Sequence, residues 1–191
     1  MTMADQGAEG LLSPFLRNRR IAAARPYLEG RVLDFGCGTG TLATWVAPNR
    51  YLGIDIDAES LRRARAGFPQ HRFLAALPEP TERFDSVIAL AVIEHVADPV
   101  ALLRRLSGHL SETKIARLVL TTPHPSVDWI HHVGATIGLF SRHASEEHEK
   151  LMDLVALKEA GTTAGLTLFS YRRFLFGANQ RFVFRRLPRA D

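Results

Sequence analysis

The sequence predicts an α/β domain built on a mostly parallel sheet with helices on both faces. Short apolar runs alternate with helical stretches between residues 31 and 121, a rhythm typical of parallel strands joined by helical crossovers. A chain of 191 residues is long enough for one such domain and too short for two of ordinary size. We therefore predict a single domain over residues 1–191.

Apolar runs and turn residues predict seven strands. Five runs lie at 31–35, 51–56, 72–74, 86–90 and 116–121, and a terminal antiparallel hairpin is expected from 166–176 and 180–186, joined by Gly177-Ala178-Asn179. The predicted helices are 14–28, one from Thr41, 58–66, 99–110 and 145–160.

Local signals place several helix ends. Asp98 followed by Pro99 predicts a helix start, because Asp is a favoured N-cap and Pro a favoured first helical residue. Gly161 is expected to end the last helix. Residues 1–13 are interpreted as a flexible tail, and residues 124–145 as a cover over the substrate site after the fifth strand.

Composition excludes several classes of protein. The net charge of +4 is spread thinly along the chain, so a solvated basic surface is favoured over a nucleic-acid patch. No apolar run approaches the roughly 20 residues that span a bilayer. The single cysteine rules out an internal disulfide framework and a cysteine zinc cluster. We expect a cytoplasmic protein.

A glycine-rich turn follows the first strand. Asp34 ends that strand, and Gly36, Gly38 and Gly40 come before the next helix, so the backbone can approach a ligand where side chains would collide. A glycine triplet alone is a weak signal, because dinucleotide-binding proteins use a similar turn. Two features make the signal more specific. An acid precedes the first glycine, and no phosphate-binding lysine follows the last one.

The run Val-Leu-Asp-Phe-Gly-Cys-Gly-Thr-Gly at 32–40 resembles the first motif of the class I S-adenosylmethionine (SAM)-dependent methyltransferases. The resemblance covers residues 17–123 and includes two more pieces in order, 51–57 and 84–96. It implies a Rossmann-like, doubly wound sheet, SAM as cofactor and S-adenosylhomocysteine as product. Three ordered motifs favour SAM over NAD or FAD.

The resemblance also implies a set of cofactor-binding residues. Asp34 would lie near the methionine amino group, and the backbone at Gly36 and Gly38 would line the methionine moiety. Asp55 ends the second strand, where its carboxylate can accept hydrogen bonds from both ribose hydroxyls; the alternative is a helix N-cap shared with Asp57.

The remaining cofactor contacts concern adenine and the shape of the turn. Ile56 would pack on the adenine face. Members of the family often carry an adenine-binding Asp at a position within 71–80, where this chain has none, so we expect recognition through the backbone near Ala76 and Leu77. Cys37, Gly40 and Leu90 complete the predicted set. Cys37 is interpreted as a packing residue, since a nucleophilic role is the weaker alternative.

Methyl transfer from a sulfonium needs little machinery beyond alignment and, for a protonated acceptor, a general base. His124 and His95 are the candidate bases, because both follow predicted strands at the edge where parallel sheets bind ligands. Candidate substrate residues are Glu94, Asp128, Trp129 and His132. No metal-binding motif accompanies the histidines, and no metal is expected.

The favoured function is methylation of a small molecule, at oxygen before nitrogen or carbon, with an acceptor that has an apolar or ring part. One alternative is an RNA or protein methyltransferase that holds a polyanion with the arginines near both ends of the chain. Another is a SAM-binding regulator without catalysis. Nucleic acid is not the favoured partner, since the chain lacks an Asn-Pro-Pro-Tyr-like motif.

Overall fold

A computed structural model describes residues 13–127 and 151–187. Within them lies a seven-stranded sheet of order β3-β2-β1-β4-β5-β7-β6. The strands are β1 (Val32–Phe35), β2 (Tyr51–Ile54), β3 (Arg72–Leu74), β4 (Ser86–Leu90), β5 (Arg117–Pro123), β6 (Leu166–Phe174) and β7 (Asn179–Arg186). Strand β7 pairs antiparallel with β5 and β6, and the other pairs are parallel. The predicted doubly wound sheet and terminal hairpin are confirmed.

Four α-helices flank the sheet in the described ranges: α1 (Ser13–Ala24), α2 (Ala58–Gly67), α3 (Pro99–Gly108) and α4 (Leu154–Thr163). An aspartate caps each of the last three. Asp57, Asp98 and Asp153 accept hydrogen bonds of 2.9 Å from the backbone N–H three residues later, which satisfies donors that a helix N-terminus leaves unpaired. The start predicted at Asp98 is confirmed.

Two helices near the cofactor motif differ from the prediction. Helix α1 ends at Ala24 rather than at residue 28 and is followed by a 3₁₀ turn at Arg25–Tyr27, because Pro26 has no N–H and disfavours helical geometry in the residue before it. The segment from Thr41 is a 3₁₀ helix, Thr41–Trp45, and not an α-helix. Val46 is already extended and Pro48 follows, so the chain has no room for a longer helix.

Helix α4 was also predicted with the wrong bounds. Of the predicted helix at 145–160, residues 145–150 lie outside the described residues; 151–153 are not helical, and α4 begins at Leu154. The helix then continues through Gly161. A Cβ at Gly161 would lie 2.5 Å from Cε1 of the Phe184 ring, so the glycine serves close packing of helix on sheet and not helix termination.

The core is formed where helices cover both faces of the sheet. Side chains from β1, β4, β5 and β7 are almost fully buried, and the largest of them include Leu33, Ile88, Leu118, Phe182 and Phe184. The strand order reverses between β1 and β4, so the connections after these two strands diverge to opposite sides. Open parallel sheets bind ligands in the crevice at such a point. No helix among the described residues is long and apolar enough to cross a membrane.

Candidate active site

The glycine turn after β1 has the backbone geometry that its sequence predicts. Gly36, Gly38 and Gly40 have φ angles of 75°, 51° and 77°, in the left-handed region that favours glycine. A Cβ at Gly36 would lie 2.5 Å from Cγ2 of Val92, whereas a Cβ at Gly38 would meet nothing within 4 Å. Gly36 is therefore needed for packing, and Gly38 faces open space that a ligand can use.

Asp55 holds this turn against the end of β2. One carboxylate oxygen accepts a 2.7 Å hydrogen bond from the N–H of Gly38, and the other accepts a 2.9 Å bond from the N–H of Asp57. The cap of α2 is Asp57, so the alternative that Asp55 serves as a helix N-cap is wrong. The carboxylate is half-buried at the rim of the turn, where its remaining lone pairs can accept from a ligand.

Asp34 is a buried acid at the base of the same turn. Its side chain is 3% exposed and accepts a 2.7 Å hydrogen bond from the Tyr51 hydroxyl. The pKa of Asp34 is raised to about 7, because the effect of burial, together with the charge of the nearby Asp55, exceeds the lowering by the Tyr51 hydrogen bond. This carboxyl can therefore change its charge near neutral pH.

A cavity of about 260 Å³ opens beside the turn. Its walls are formed by α1, the segment from Asp34 to Leu42, the first turn of α2 and the end of β4. The lining residues are Arg17, Arg20, Ile21, Asp34, Gly36, Cys37, Gly38, Thr39, Thr41, Leu42, Ser60 and Leu90. Five predicted cofactor residues (Asp34, Gly36, Cys37, Gly38 and Leu90) thus share one cavity.

Arg17 and Arg20 also line this cavity, a position that the sequence did not predict. The sequence signal was the basic face of α1, which does not reveal where the helix lies against the sheet. Arg20 donates a 3.0 Å hydrogen bond from Nε to Asn179 Oδ1, which ties α1 to the start of β7. Both arginines thus bring a basic side chain to the lining of the cavity.

The predicted adenine residues lie outside the lining of this cavity, at the ends of β2 and β3. Ile56 is 92% exposed, Ala76 is exposed, and Leu77 is half-buried against the core. The N–H of Asp55 donates to Leu74 O at 3.2 Å, which brings the two strand ends together. An apolar side chain as exposed as Ile56 can gain contact area from a flat ligand.

Comparisons with known proteins agree with this geometry. The sequence matches the methyltransferase domain family over residues 10–171. The chain belongs to this family. Family membership confirms the predicted resemblance to the class I SAM-dependent methyltransferases, whose cofactor is SAM.

Curated relatives of this methyltransferase match less than its full length. A ubiquinone biosynthesis O-methyltransferase of Ruegeria pomeroyi is 36% identical over 97 residues, 46% of this chain and 39% of the relative. An uncharacterized methyltransferase of Mycobacterium tuberculosis is 36% identical over 85 residues, 40% of this chain and 43% of the relative. The chain therefore spans about two fifths of the length of the relatives it matches.

Solved structures share the fold of the methyltransferase at low sequence identity. Magnesium protoporphyrin IX methyltransferase from Synechocystis PCC 6803, solved with bound SAH, is 17% identical with a TM-score of 0.69, covering 95% of this chain and 90% of that one. A putative methyltransferase of Haloferax volcanii, solved in complex with the Trm112 activator, is 14% identical with a TM-score of 0.72, covering 93% and 94%.

Cys37 of the methyltransferase is a buried thiol. Burial raises its pKa, and the carboxyl groups of Asp34 and Asp55 raise it further. A Cβ at Gly53 would lie 3.0 Å from the Cys37 sulfur, so the side chain fills space between adjacent strand ends. A protonated, packed thiol favours the packing interpretation over the nucleophilic one.

Glu94 is a buried acid in the short 3₁₀ helix Ile93–His95 that follows β4. Its side chain is 5% exposed, and Oε2 has no hydrogen-bond partner among the described residues. Burial raises the pKa of Glu94, while the charges of Arg20 and His95 oppose that rise. His95 itself is exposed.

His124 follows β5 and is held by its neighbour Ser126. The backbone N–H of Ser126 donates to His124 Nδ1 at 3.0 Å, and the Ser126 hydroxyl lies 2.8 Å from the same nitrogen. Burial and the charge of Arg173 lower the pKa of His124, and Asp153 opposes them. With Nδ1 accepting, the neutral ring carries its proton on Nε2.

Neither candidate base lines the cofactor cavity. Three predicted substrate residues, Asp128, Trp129 and His132, lie outside the described residues, as does most of the predicted cover, 124–145. Within 13–127 and 151–187, no group of three metal-ligating side chains comes together.

Proposed function

We propose that this methyltransferase methylates a small organic molecule, with oxygen favoured over nitrogen or carbon as the acceptor atom. The observation that carries the proposal is the Asp34 to Gly40 turn, held by Asp55 and open toward a cavity of about 260 Å³. The ubiquinone biosynthesis O-methyltransferases among the relatives support an oxygen acceptor in a molecule with a ring or apolar part.

The residues around the cavity fit the methionine end of SAM. The ionised Asp34 carboxylate would pair with the cofactor's ammonium group, and Arg17 and Arg20 on α1 would pair with its carboxylate. The backbone at Gly36 and Gly38 would line the methionine moiety, and at Gly38 the missing side chain leaves open space for the ligand. SAM supplies an electrophilic methyl group at this position.

The adenosine part of SAM would be bound at the ends of β2 and β3. Asp55 is oriented by the N–H groups of Gly38 and Asp57 and would accept the ribose hydroxyls. Ile56 would cover one face of adenine, and the backbone at Ala76 and Leu77 would hydrogen-bond its edge. Cys37, Gly40 and Leu90 would shape the wall between these two halves.

The acceptor would enter beyond the ends of β4 and β5. We favour His95 over His124 as the general base, because Nδ1 of His124 accepts the Ser126 N–H and the neutral ring then carries its proton on Nε2. Glu94, with an unpartnered buried oxygen, would orient the acceptor hydroxyl. Asp128, Trp129 and His132 remain proposed contacts of the acceptor.

Calorimetry with SAM and S-adenosylhomocysteine tests cofactor binding. Asp55→Asn and Asp57→Asn remove the same charge two residues apart, and Asn remains a good N-cap for α2. We expect Asp55→Asn to weaken binding about tenfold or more, since a charged acceptor for two hydroxyls is lost, and Asp57→Asn to leave it unchanged. Equal affinities for wild type and Asp55→Asn would overturn the ribose assignment.

Turnover of labelled SAM with a panel of phenols and alcohols, and with a metabolite extract, tests catalysis. Transfer to an oxygen acceptor, reduced by His95→Ala more than by His124→Ala, is the expected result. A protein that binds SAM tightly but transfers methyl to none of these acceptors would instead support the non-catalytic regulator.

A further inference from the structure

A second cavity, of about 190 Å³, lies between α1 and the β6–β7 hairpin. Its lining residues are Arg19, Ala22, Ala23, Pro26, Arg172, Phe174 and Arg181, and none of them lines the cofactor cavity. The two cavities use different sides of α1. A ligand in the second cavity would therefore not be a part of SAM.

Arg181 forms the buried wall of this second cavity. The residue is 8% exposed; one terminal nitrogen donates to Ala23 O at 3.1 Å, and the guanidinium carbon lies 4.9 Å from the centre of the Tyr27 ring. Its Nε has no hydrogen-bond partner among the described residues. A buried cation with an unsatisfied donor is costly unless an anion completes the site.

Two further arginines share the cavity. Arg172 lies directly opposite Arg181 in the antiparallel β6–β7 pair, and Arg19 reaches it from α1. Like charges directly opposite on paired strands destabilise a sheet. In the described part of the chain, no carboxylate forms an ion pair with any of the three. An anion between them would replace this repulsion with attraction.

We propose that this cavity binds the phosphate group of a ligand that also has an apolar part. Guanidinium groups bind phosphate oxygens with paired hydrogen bonds, and three arginines line this one cavity. Ala22, Ala23 and Phe174 supply apolar contacts beside the charges. Charges that converge on a single cavity fit one phosphate group better than the extended backbone of a nucleic acid.

Phosphate binding is tested at constant ionic strength with inorganic phosphate and phenyl phosphate, by calorimetry and by the rise in Tm. We expect saturable binding, tighter for phenyl phosphate because its ring can contact Phe174. The exposed Arg19 and Arg172 can be replaced without opening the core, and Arg19→Gln or Arg172→Gln should each weaken binding about tenfold.

Arg185→Gln is the matched control. It removes the same charge from an exposed residue on β7 that lies over the Phe169 ring and not in the cavity, so phosphate affinity should not change. Equal losses in Arg172→Gln and Arg185→Gln would overturn the proposal, because they would indicate only general charge attraction. The absence of saturable binding by wild type would also overturn it.

The two sources of such a ligand are distinguished by vesicle flotation. Binding to phosphatidylcholine vesicles only when phosphatidic acid is included, lost in Arg172→Gln, would identify a lipid headgroup. Binding of phenyl phosphate without vesicle binding would identify a soluble phosphate ester. Binding of RNA but of neither phosphate probe would overturn the proposal in favour of a polyanion. None of these readouts depends on SAM or methyl transfer.

Discussion

The Tyr51 hydroxyl donates a 2.7 Å hydrogen bond to the Asp34 carboxyl, joining the start of β2 to β1 beneath the glycine turn. Both side chains are buried, and Asp34 also lines the cofactor cavity. The charge of Asp34 therefore affects both the stability of the fold and the proposed binding site for the methionine part of SAM.

The stability of the protein should depend on pH through Asp34. Its pKa is about 7 in the folded protein against an ordinary value of 3.8, so between these limits the folded state keeps a proton that the unfolded state releases. Asp34 therefore favours folding below about pH 4, and this contribution, roughly 4 kcal/mol at most, is lost as the pH rises to 7. Urea unfolding of wild type and Asp34→Asn across this range measures it. If the free energy of unfolding changed with pH by the same amount in both proteins, the prediction would be contradicted.

Tyr51→Phe should destabilise the protein and raise the pKa of Asp34 further. The variant removes the one side-chain donor that lowers this pKa and leaves a buried carboxyl without it, which costs about 1–3 kcal/mol of unfolding free energy. Tyr171→Phe is the control, because its 3.3 Å bond to Gln180 is longer and only part-buried. Denaturant titration at pH 8 should show the larger loss for Tyr51→Phe; a larger loss for Tyr171→Phe would refute this account.

Alanine at Gly38 and at Gly36 should separate cofactor binding from folding. Both positions have positive φ, so each substitution costs roughly 1–2 kcal/mol of backbone strain. Gly38→Ala adds a methyl in open space and should fold but bind SAM at least about tenfold more weakly. Gly36→Ala also clashes with Val92 and should lose more stability. Calorimetry and thermal unfolding of both variants test this. Undiminished SAM binding by Gly38→Ala would contradict the assignment of Gly38 to the cofactor site.

Gly161→Ala should destabilise the protein although it improves helix propensity. The new methyl would overlap the Phe184 ring, and overpacking of this kind costs about 1–3 kcal/mol. Gly67→Ala, at the last residue of α2 with no neighbour within 4 Å, is the matched control and should be neutral or slightly stabilising. An unchanged or higher Tm of Gly161→Ala would show that Phe184 moves aside and would contradict the prediction.

The fold and the cofactor motif could be predicted because their signals are local. The alternation of apolar runs and helices, the glycines after β1 and the Asp98-Pro99 start each depend on neighbours in the sequence. The errors arose where contacts override propensity. From the sequence, Gly161 is typical of a helix end, yet it lies within α4 because Phe184, distant in sequence, packs against it.

By itself, the sequence determined a doubly wound α/β methyltransferase that presents Asp34, three glycines and Asp55 at neighbouring strand ends, because strand alternation and turn chemistry are written in consecutive residues. Only the tertiary structure decided what surrounds that motif. It brought Arg17 and Arg20 into the cofactor cavity, and placed Arg19 beside Arg172 and Arg181 from the far end of the chain. These contacts depend on how helices pack across a sheet. Side-chain periodicity shows which face of a helix packs against the sheet, but not where on the sheet the helix lies.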